Sequence, residues 1–203
     1  MTTIIGLQGD RWCAVGADSL ITSIDESGFI TSQQVLSSTS SKLISKNGYI
    51  IGAAGDVRAI NILHHVYEPP TIPRTLVPNR IDQFVTREVI PSLRECFDNQ
   101  GYSPPDKSDR EHQAQQDSTI LLAIKARIYI IDNDYSWAQD ERGIYTIGTG
   151  CQYATATLHL LTGNTTKALT KDKAISHIQK SLSIASCHDP YTGPPHHIHT
   201  QTT

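Results

Sequence analysis

The sequence has no long hydrophobic run, no closely spaced cysteine pair, no large excess of one charge and no internal repeat. Each absence removes a class of function. Its most apolar stretch, TILLAIKARIYII at 119–131, is interrupted by Lys125 and Arg127 and falls short of the roughly 20 residues a bilayer span needs. The opening MTTIIGLQGDRW lacks the basic segment and apolar core of a secretion signal. Cys13, Cys96, Cys151 and Cys187 are scattered without CxxC spacing, which predicts free thiols and a cytoplasmic protein. A formal net charge of -3 implies no nucleic-acid partner and no membrane surface. The nine histidines add charge only below about pH 6.5. No repeat of solenoid length is present. What remains is a chain of 203 residues, 38% hydrophobic, expected to form a single domain over 1–203.

Apolar runs at 2–8 and 11–17, split by Gly9-Asp10, predict a hairpin. KLISK at 42–46 and YIIGAAG at 49–55, joined by Asn47-Gly48, predict a second one. The Ser- and Thr-rich 19–41 segment reads as a long loop or extended arm. Val57, Ile60, Leu63 and Tyr67 recur at helical spacing, ended by Pro69-Pro70. A second helix fits 80–98, with Ile81, Phe84, Val85, Val89, Leu93, Cys96 and Phe97 on one face and a kink at Pro91. Residues 99–117 read as a surface loop. Strands follow at 118–125, 127–134 and 144–148. A helix at 151–162 presents Tyr153, Thr157, Leu158 and Leu161 on one side. Another near 171–186 is capped by Thr170 and turns Ile175, Ile178, Leu182 and Ala185 inward. HHIHT suggests a last strand. Strands and helices thus come in separate runs, which predicts an α+β fold of stacked antiparallel sheets with helices outside.

Chemistry points first to the N-terminus. Removing Met1 puts a hydroxyl and a free α-amine on Thr2. Such an amine titrates near 7.7–8.0, against about 10.4 for lysine, so it can act as a base for its own hydroxyl. Asp18 ends the second strand and Lys42 opens KLISK. A Lys-Asp pair beside Thr2 would orient the lysine and tune a neighbouring proton, although most such pairs are surface salt bridges. Gly55 lies between a strand and a helix start, where a backbone N–H can face an oxyanion; a plain turn glycine would look the same.

These segments resemble a family. TTIIGLQGDRWCAVGADSLIT, SKLIS and YIIGAAGDVRA, then STILLAI, YIIDND, IGTGCQYATATLHLL and ASCHDPYTG, are similar to the proteasome β-subunit and HslV peptidases, which are N-terminal nucleophile hydrolases. The resemblance covers most of the chain outside 23–41 and 69–117. It implies a four-layer αββα sandwich. It also implies Thr2 as nucleophile, Asp18 and Lys42 as its charged partners, and Gly55 as oxyanion donor. Thr149 falls near the nucleophile's amine, and Asp189 and Thr192 complete the network. Thr149 and Thr192 stand where the family usually has serines, and the 18–42 interval is longer than usual. Ala53 would lie at the base of the pocket for the substrate side chain, with Thr22 and Val57 as further substrate-binding positions.

The same resemblance implies acyl transfer on a polypeptide substrate, no cofactor and no metal. It further implies a homo-oligomeric ring of six or seven chains, stacked in pairs, and an ATP-dependent unfoldase as partner. Two other readings fit the same residues: a hydrolase of small amides, and a catalytically silent ring subunit, the latter if Met1 is retained. His196, His197 and His199 lack a nearby cysteine or assured carboxylate and are not read as metal ligands. His64-His65, Cys151, Trp12 and Trp137 read as packing residues.

Overall fold

A computed structural model describes residues 2–102 and 118–203 of the chain. Its strands are β1 (Thr3–Gln8), β2 (Trp12–Ala17), β3 (Leu20–Ile24), β4 (Ile30–Val35), β5 (Leu43–Lys46), β6 (Tyr49–Gly55), β7 (Ser118–Ile124), β8 (Arg127–Ile131), β9 (Trp137–Ala138), β10 (Ile144–Gly148) and β11 (His197–Thr202). The helices are α1 (Val57–His65), α2 (Ile81–Phe84), α3 (Ile90–Asn99), α4 (Cys151–Thr162) and α5 (Lys171–His188). One sheet runs β10-β1-β2-β11, another β5-β6-β7-β8-β9, and all their pairings are antiparallel.

Three apolar clusters separate four layers. Tyr49, Ile51 and Ala53 of β6 pack under α1, α2 and α3. Ile50 and Ala54, the alternate residues of β6, face Ile4, Val15 and Ala17 of the other sheet. Ile5, Leu7 and Ala14 then meet Ala154, Leu158, Ile178 and Leu182 of α4 and α5. Successive strand side chains point to opposite faces, so strands covered on both sides are apolar at nearly every position. The expected αββα sandwich is the observed fold.

Local chemistry accounts for the connections. Asn47 (φ 52) and Gly48 (φ 83) take the two left-handed conformations of the hairpin turn that Asn-Gly favours. Asp56 caps α1 by accepting from the Arg58 N–H, and Thr170 caps α5 by accepting from Lys173. The second predicted helix is broken. A 3-10 turn, Pro78–Arg80, precedes α2, and a π-helical turn, Val85–Val89, separates α2 from α3. Pro91 lies in the first turn of α3, and its missing N–H and bulky ring prevent a regular helix through the turn before it. The predicted face survives: Ile81, Val85, Val89, Leu93 and Phe97 are buried, while Phe84 and Cys96 are partly so.

Two expectations are revised. Of the two readings of residues 19–41 the loop is replaced by an extended arm, because β3 and β4 pair as a separate two-stranded sheet with a bulge at Ser23/Ile24. The turn of that hairpin is tied by Asp25 Oδ1, which accepts from the N–H groups of Ser27 and Phe29 at 2.9 Å each. Helix α4 buries Ala154 and Leu158, whereas Tyr153 is 41% exposed. Lying against α5, Tyr153 stacks on His188 at 5.5 Å between ring centroids. Strand β9 has two residues, too few for any periodicity to show. Of the predicted 99–117 loop, 103–117 lies outside the described residues.

Leu121 is wholly buried between the sheets, whereas Leu160 is 84% exposed. Leu121→Ala is expected to lose about 2–5 kcal/mol of unfolding free energy. Leu160→Ala should stay within about 0.5 kcal/mol of the parent. Urea unfolding of both variants checks the layer assignment, and equal losses would contradict it.

Candidate active site

Strand register gathers the candidate residues at one end of the sandwich. Thr3 pairs with Gly148, Ile4 with Ala17, and Ala17 in turn with His197. The start of β1, the end of β2, the end of β10 and the loop before β11 are therefore neighbours. On the other sheet Leu43 pairs with Gly52, which brings Lys42 and the last turn of β6 to the same end.

Asp18 lies at the centre. Its Oδ1 accepts from the Thr3 N–H at 2.9 Å and from Lys42 Nζ at 2.8 Å. Its Oδ2 accepts from the N–H groups of Leu20 at 3.0 Å and Gly193 at 3.1 Å. Lys42 Nζ also donates to the Leu20 carbonyl at 2.6 Å. Asp18 and Lys42 are both 0% exposed, which rules out a surface salt bridge. Burial pulls the Lys42 ammonium below lysine's ordinary pKa, and the Asp18 carboxylate acts against that shift. A lysine poised in this way exchanges its proton more readily than a solvated one.

A second network lies beside the first. Asp189 Oδ2 accepts from Thr149 Oγ1 at 2.8 Å and from Thr192 Oγ1 at 2.6 Å. Thr192 Oγ1 is also 2.6 Å from Thr3 Oγ1. Asp189 ends α5 as its C-cap, and Thr149 directly follows β10. Two glycines let the chain close in. Gly148 (φ 92) packs its Cα onto the Thr2 carbonyl, and a Cβ on Gly150 would overlap Thr3 Oγ1.

The structure therefore brings together Asp18 and Lys42 directly, and Thr149, Asp189 and Thr192 directly. Thr2, 2% exposed, is connected to both groups by its neighbour Thr3, which is hydrogen-bonded to each. Met1 lies outside the described residues. Gly55 ends β6, exposed, with φ 137, a conformation that side-chain-bearing residues rarely adopt. Ala53 is fully buried in the cluster under α1, and Val57 is half-buried at the first position of that helix. Thr22 is 8% exposed on β3, and its hydroxyl has no hydrogen-bond partner among the described residues.

Sequence reasoning missed three contributors: Thr3, Leu20 and Gly193. Two act through backbone N–H groups, which leave no side-chain signature. Thr3 could have been found from its place beside Thr2. Among the described residues no group of three or more His, Cys, Asp or Glu is arranged to hold a metal ion. His196 instead contacts Ser186 Oγ at 3.2 Å, and burial lowers its pKa.

No family model and no curated protein matches the sequence. Solved structures do. Thiobacillus denitrificans BPH in complex with epoxomicin aligns with a TM-score of 0.71 at 16% identity, over 99% of this chain and 98% of that one. The same protein without epoxomicin in its description gives 0.70 at 16% identity, over 99% and 98%. Eukaryotic HslV from Trypanosoma brucei gives 0.62 at 16% identity, over 100% of both chains. The chain has the HslV fold. The resemblance read from short segments thus holds for the fold along the whole chain.

Replacing Asp18 takes the counter-charge from a buried ammonium and the acceptor from three backbone N–H groups, whereas replacing Lys42 leaves the carboxylate three donors. Asp18→Ala is expected to cost about 3–5 kcal/mol of stability, and Lys42→Met distinctly less. Chemical denaturation of both variants decides, and the reverse order would refute this account of the pair.

Proposed function

We propose that the chain is a threonine-type endopeptidase whose nucleophile is Thr2, exposed by removal of Met1. One observation carries this reading. Asp18 Oδ1 binds both the amide that follows Thr2 and the buried Lys42 ammonium, so a proton-exchanging group is fixed beside the peptide that joins Thr2 to Thr3. The likeness in fold to HslV, and to a protein solved with epoxomicin, supports it.

In this reading Thr2 Oγ1 attacks a peptide carbonyl and gives its proton to the Thr2 α-amine, helped by Lys42. The Gly55 N–H stabilises the tetrahedral oxyanion. The C–N bond breaks, and the amine product leaves with the transferred proton. Water then adds to the threonyl ester and releases the acid, restoring the hydroxyl. The Thr149 proton is committed to Asp189, so Thr149 offers the α-amine lone pairs and favours its cationic form. Ala53, Thr22 and Val57 are assigned to substrate binding.

The assembly is a homo-oligomeric ring built from single-domain subunits and fed by an ATP-dependent unfoldase. Ile24, Phe29, Ile30 and Val35 are 42–73% exposed on the β3–β4 hairpin, and an isolated two-stranded ribbon is marginally stable in water. Light scattering should give six or seven times 22.3 kDa, or twice that if rings stack; a monomer would refute the ring.

Intact mass spectrometry with a peptide epoxyketone tests the nucleophile. Expected are the loss of one methionine and a single adduct mapped to Thr2, absent in Thr2→Ala. The labelling rate should rise between about pH 7 and 9 as the α-amine loses its proton. Lys42→Met should slow it by about 100-fold or more. Retained Met1 with no adduct would favour a silent subunit. An adduct without cleavage of any peptide would favour a small-amide hydrolase.

A further inference from the structure

Thr3 combines three features, of which the proposed reaction uses only the first. Its N–H donates to Asp18 Oδ1 at 2.9 Å, its hydroxyl lies 2.6 Å from Thr192 Oγ1, and its side chain is 0% exposed. The direction of the hydroxyl contact follows from proton counting. A hydroxyl has one proton to donate, and an ionised carboxylate only accepts. Thr192 Oγ1 and Thr149 Oγ1 both donate to Asp189 Oδ2. The Thr192 proton is therefore spent, and Thr3 must donate to Thr192. The hydrogen bonds run one way, from Thr3 through Thr192 to Asp189.

Thr3 consequently joins the two charged networks by consecutive atoms of one residue. Its backbone is tied to the Asp18–Lys42 pair and its side chain to the Asp189 group. Gly150 closes the space around it, since even one added carbon there would overlap Thr3 Oγ1. As a β-branched residue, threonine also has a restricted χ1, which fixes the hydroxyl towards Thr192.

We infer that Thr3 is a positioning residue for Thr2, its hydroxyl setting the distance of the nucleophile from Lys42 by pinning the chain one residue downstream. This rests on the threonine-peptidase reading above. Thr2 is bonded directly to Thr3, so a shift in one is passed to the other with little room for relaxation. An error of about 1 Å in a reacting atom is costly in rate while leaving substrate contacts elsewhere unaffected. Loss of the hydroxyl should therefore appear in kcat and not in KM.

The test is steady-state cleavage of a fluorogenic peptide, with the epoxyketone labelling rate of Thr2 measured in parallel. Wild type, Thr3→Val and Thr3→Ser are compared after intact mass has shown Met1 absent from each. Thr3→Val keeps the shape of threonine and removes the hydroxyl. Its kcat and labelling rate are expected to fall roughly tenfold, the effect of losing one hydrogen bond in the transition state. Its KM should stay within about twofold of the parent. Thr3→Ser restores the hydroxyl and should recover kcat to within about twofold. A purely structural Thr3 would lower the melting temperature and leave the kcat-to-KM split unmoved, and that outcome overturns the inference. So does a serine variant no better than the valine one. Should Thr3→Val fail to melt cooperatively, Thr192→Val removes the acceptor from the other side, with the same loss in kcat expected and an unchanged kcat overturning the role. A wild-type protein that neither cleaves peptide nor takes the label refutes the peptidase reading itself. That differs from an active wild type indifferent to Thr3→Val, which refutes the positioning role alone.

Discussion

A carboxylate with no exposed surface needs donors at both oxygens, and Asp18 finds two for each. Taking a charge out of water is among the larger penalties a fold can carry, and it is offset only when geometry and partners are complete. The four donors come from the start of β1, the start of β3, the loop before β11 and the residue before β5. Compensating one buried charge therefore fixes four chain segments from all three sheets relative to one another. The proposed active site is the region those segments enclose, and its precision comes from that requirement.

Charge counting explains why a second network accompanies the first. Lys42 is hydrogen-bonded to Asp18 and reaches Asp189, 6% exposed, only through space, so among the described residues no cation is a hydrogen-bond partner of Asp189. Its contacts are two threonine hydroxyls and the Tyr191 N–H at 3.3 Å. Hydroxyl donors spread the negative charge but do not cancel it. In the proposed mechanism the α-ammonium of Thr2 adds a positive charge near this carboxylate at the stage when it holds the nucleophile's proton. The site then suits the protonated amine, which is the form that develops as Thr2 attacks. Electrostatic preorganisation of this kind favours a charge that appears during reaction over one present throughout.

Much of the fold could be read from the sequence because its signals are local. Asn47-Gly48 set a turn, Thr170 set a cap, and Ile81, Val85, Val89, Leu93 and Phe97 kept a four-residue spacing through a π-helical turn. What stayed hidden is decided by partners distant in the chain. The β3–β4 hairpin is masked by Ser and Thr because its strands face solvent, so no apolar alternation marks them. Tyr153 seemed a core residue by type, yet α5 takes the inner position and leaves the tyrosine to stack on His188. At the candidate site, the charged and hydroxyl side chains were legible and the backbone donors of Leu20 and Gly193 were not. An N–H group is common to almost every residue, and only the fold shows which ones converge.

Threonine at 149 and 192, where the resembling family usually has serine, adds two methyl groups to a closed space, and the sequence alone suggests crowding. The surroundings of these residues answer that. Thr149 lies between Gly148, whose Cα meets the Thr2 carbonyl, and Gly150, whose Cα meets Thr3, Thr192 and Asp189. A side chain at either glycine would collide with the network, so the volume added by the methyl groups is matched by volume absent next to them. The exchange also has a benefit in entropy. Serine rotates freely among three χ1 wells, whereas a β-branched side chain is restricted before any hydrogen bond forms. Two threonine hydroxyls donating to one carboxylate, and a third donating to one of them, thus lose less freedom on ordering than three serines would. The departure from the family pattern reads as a stiffer version of the same network, one in which small glycines and branched hydroxyls are a matched set.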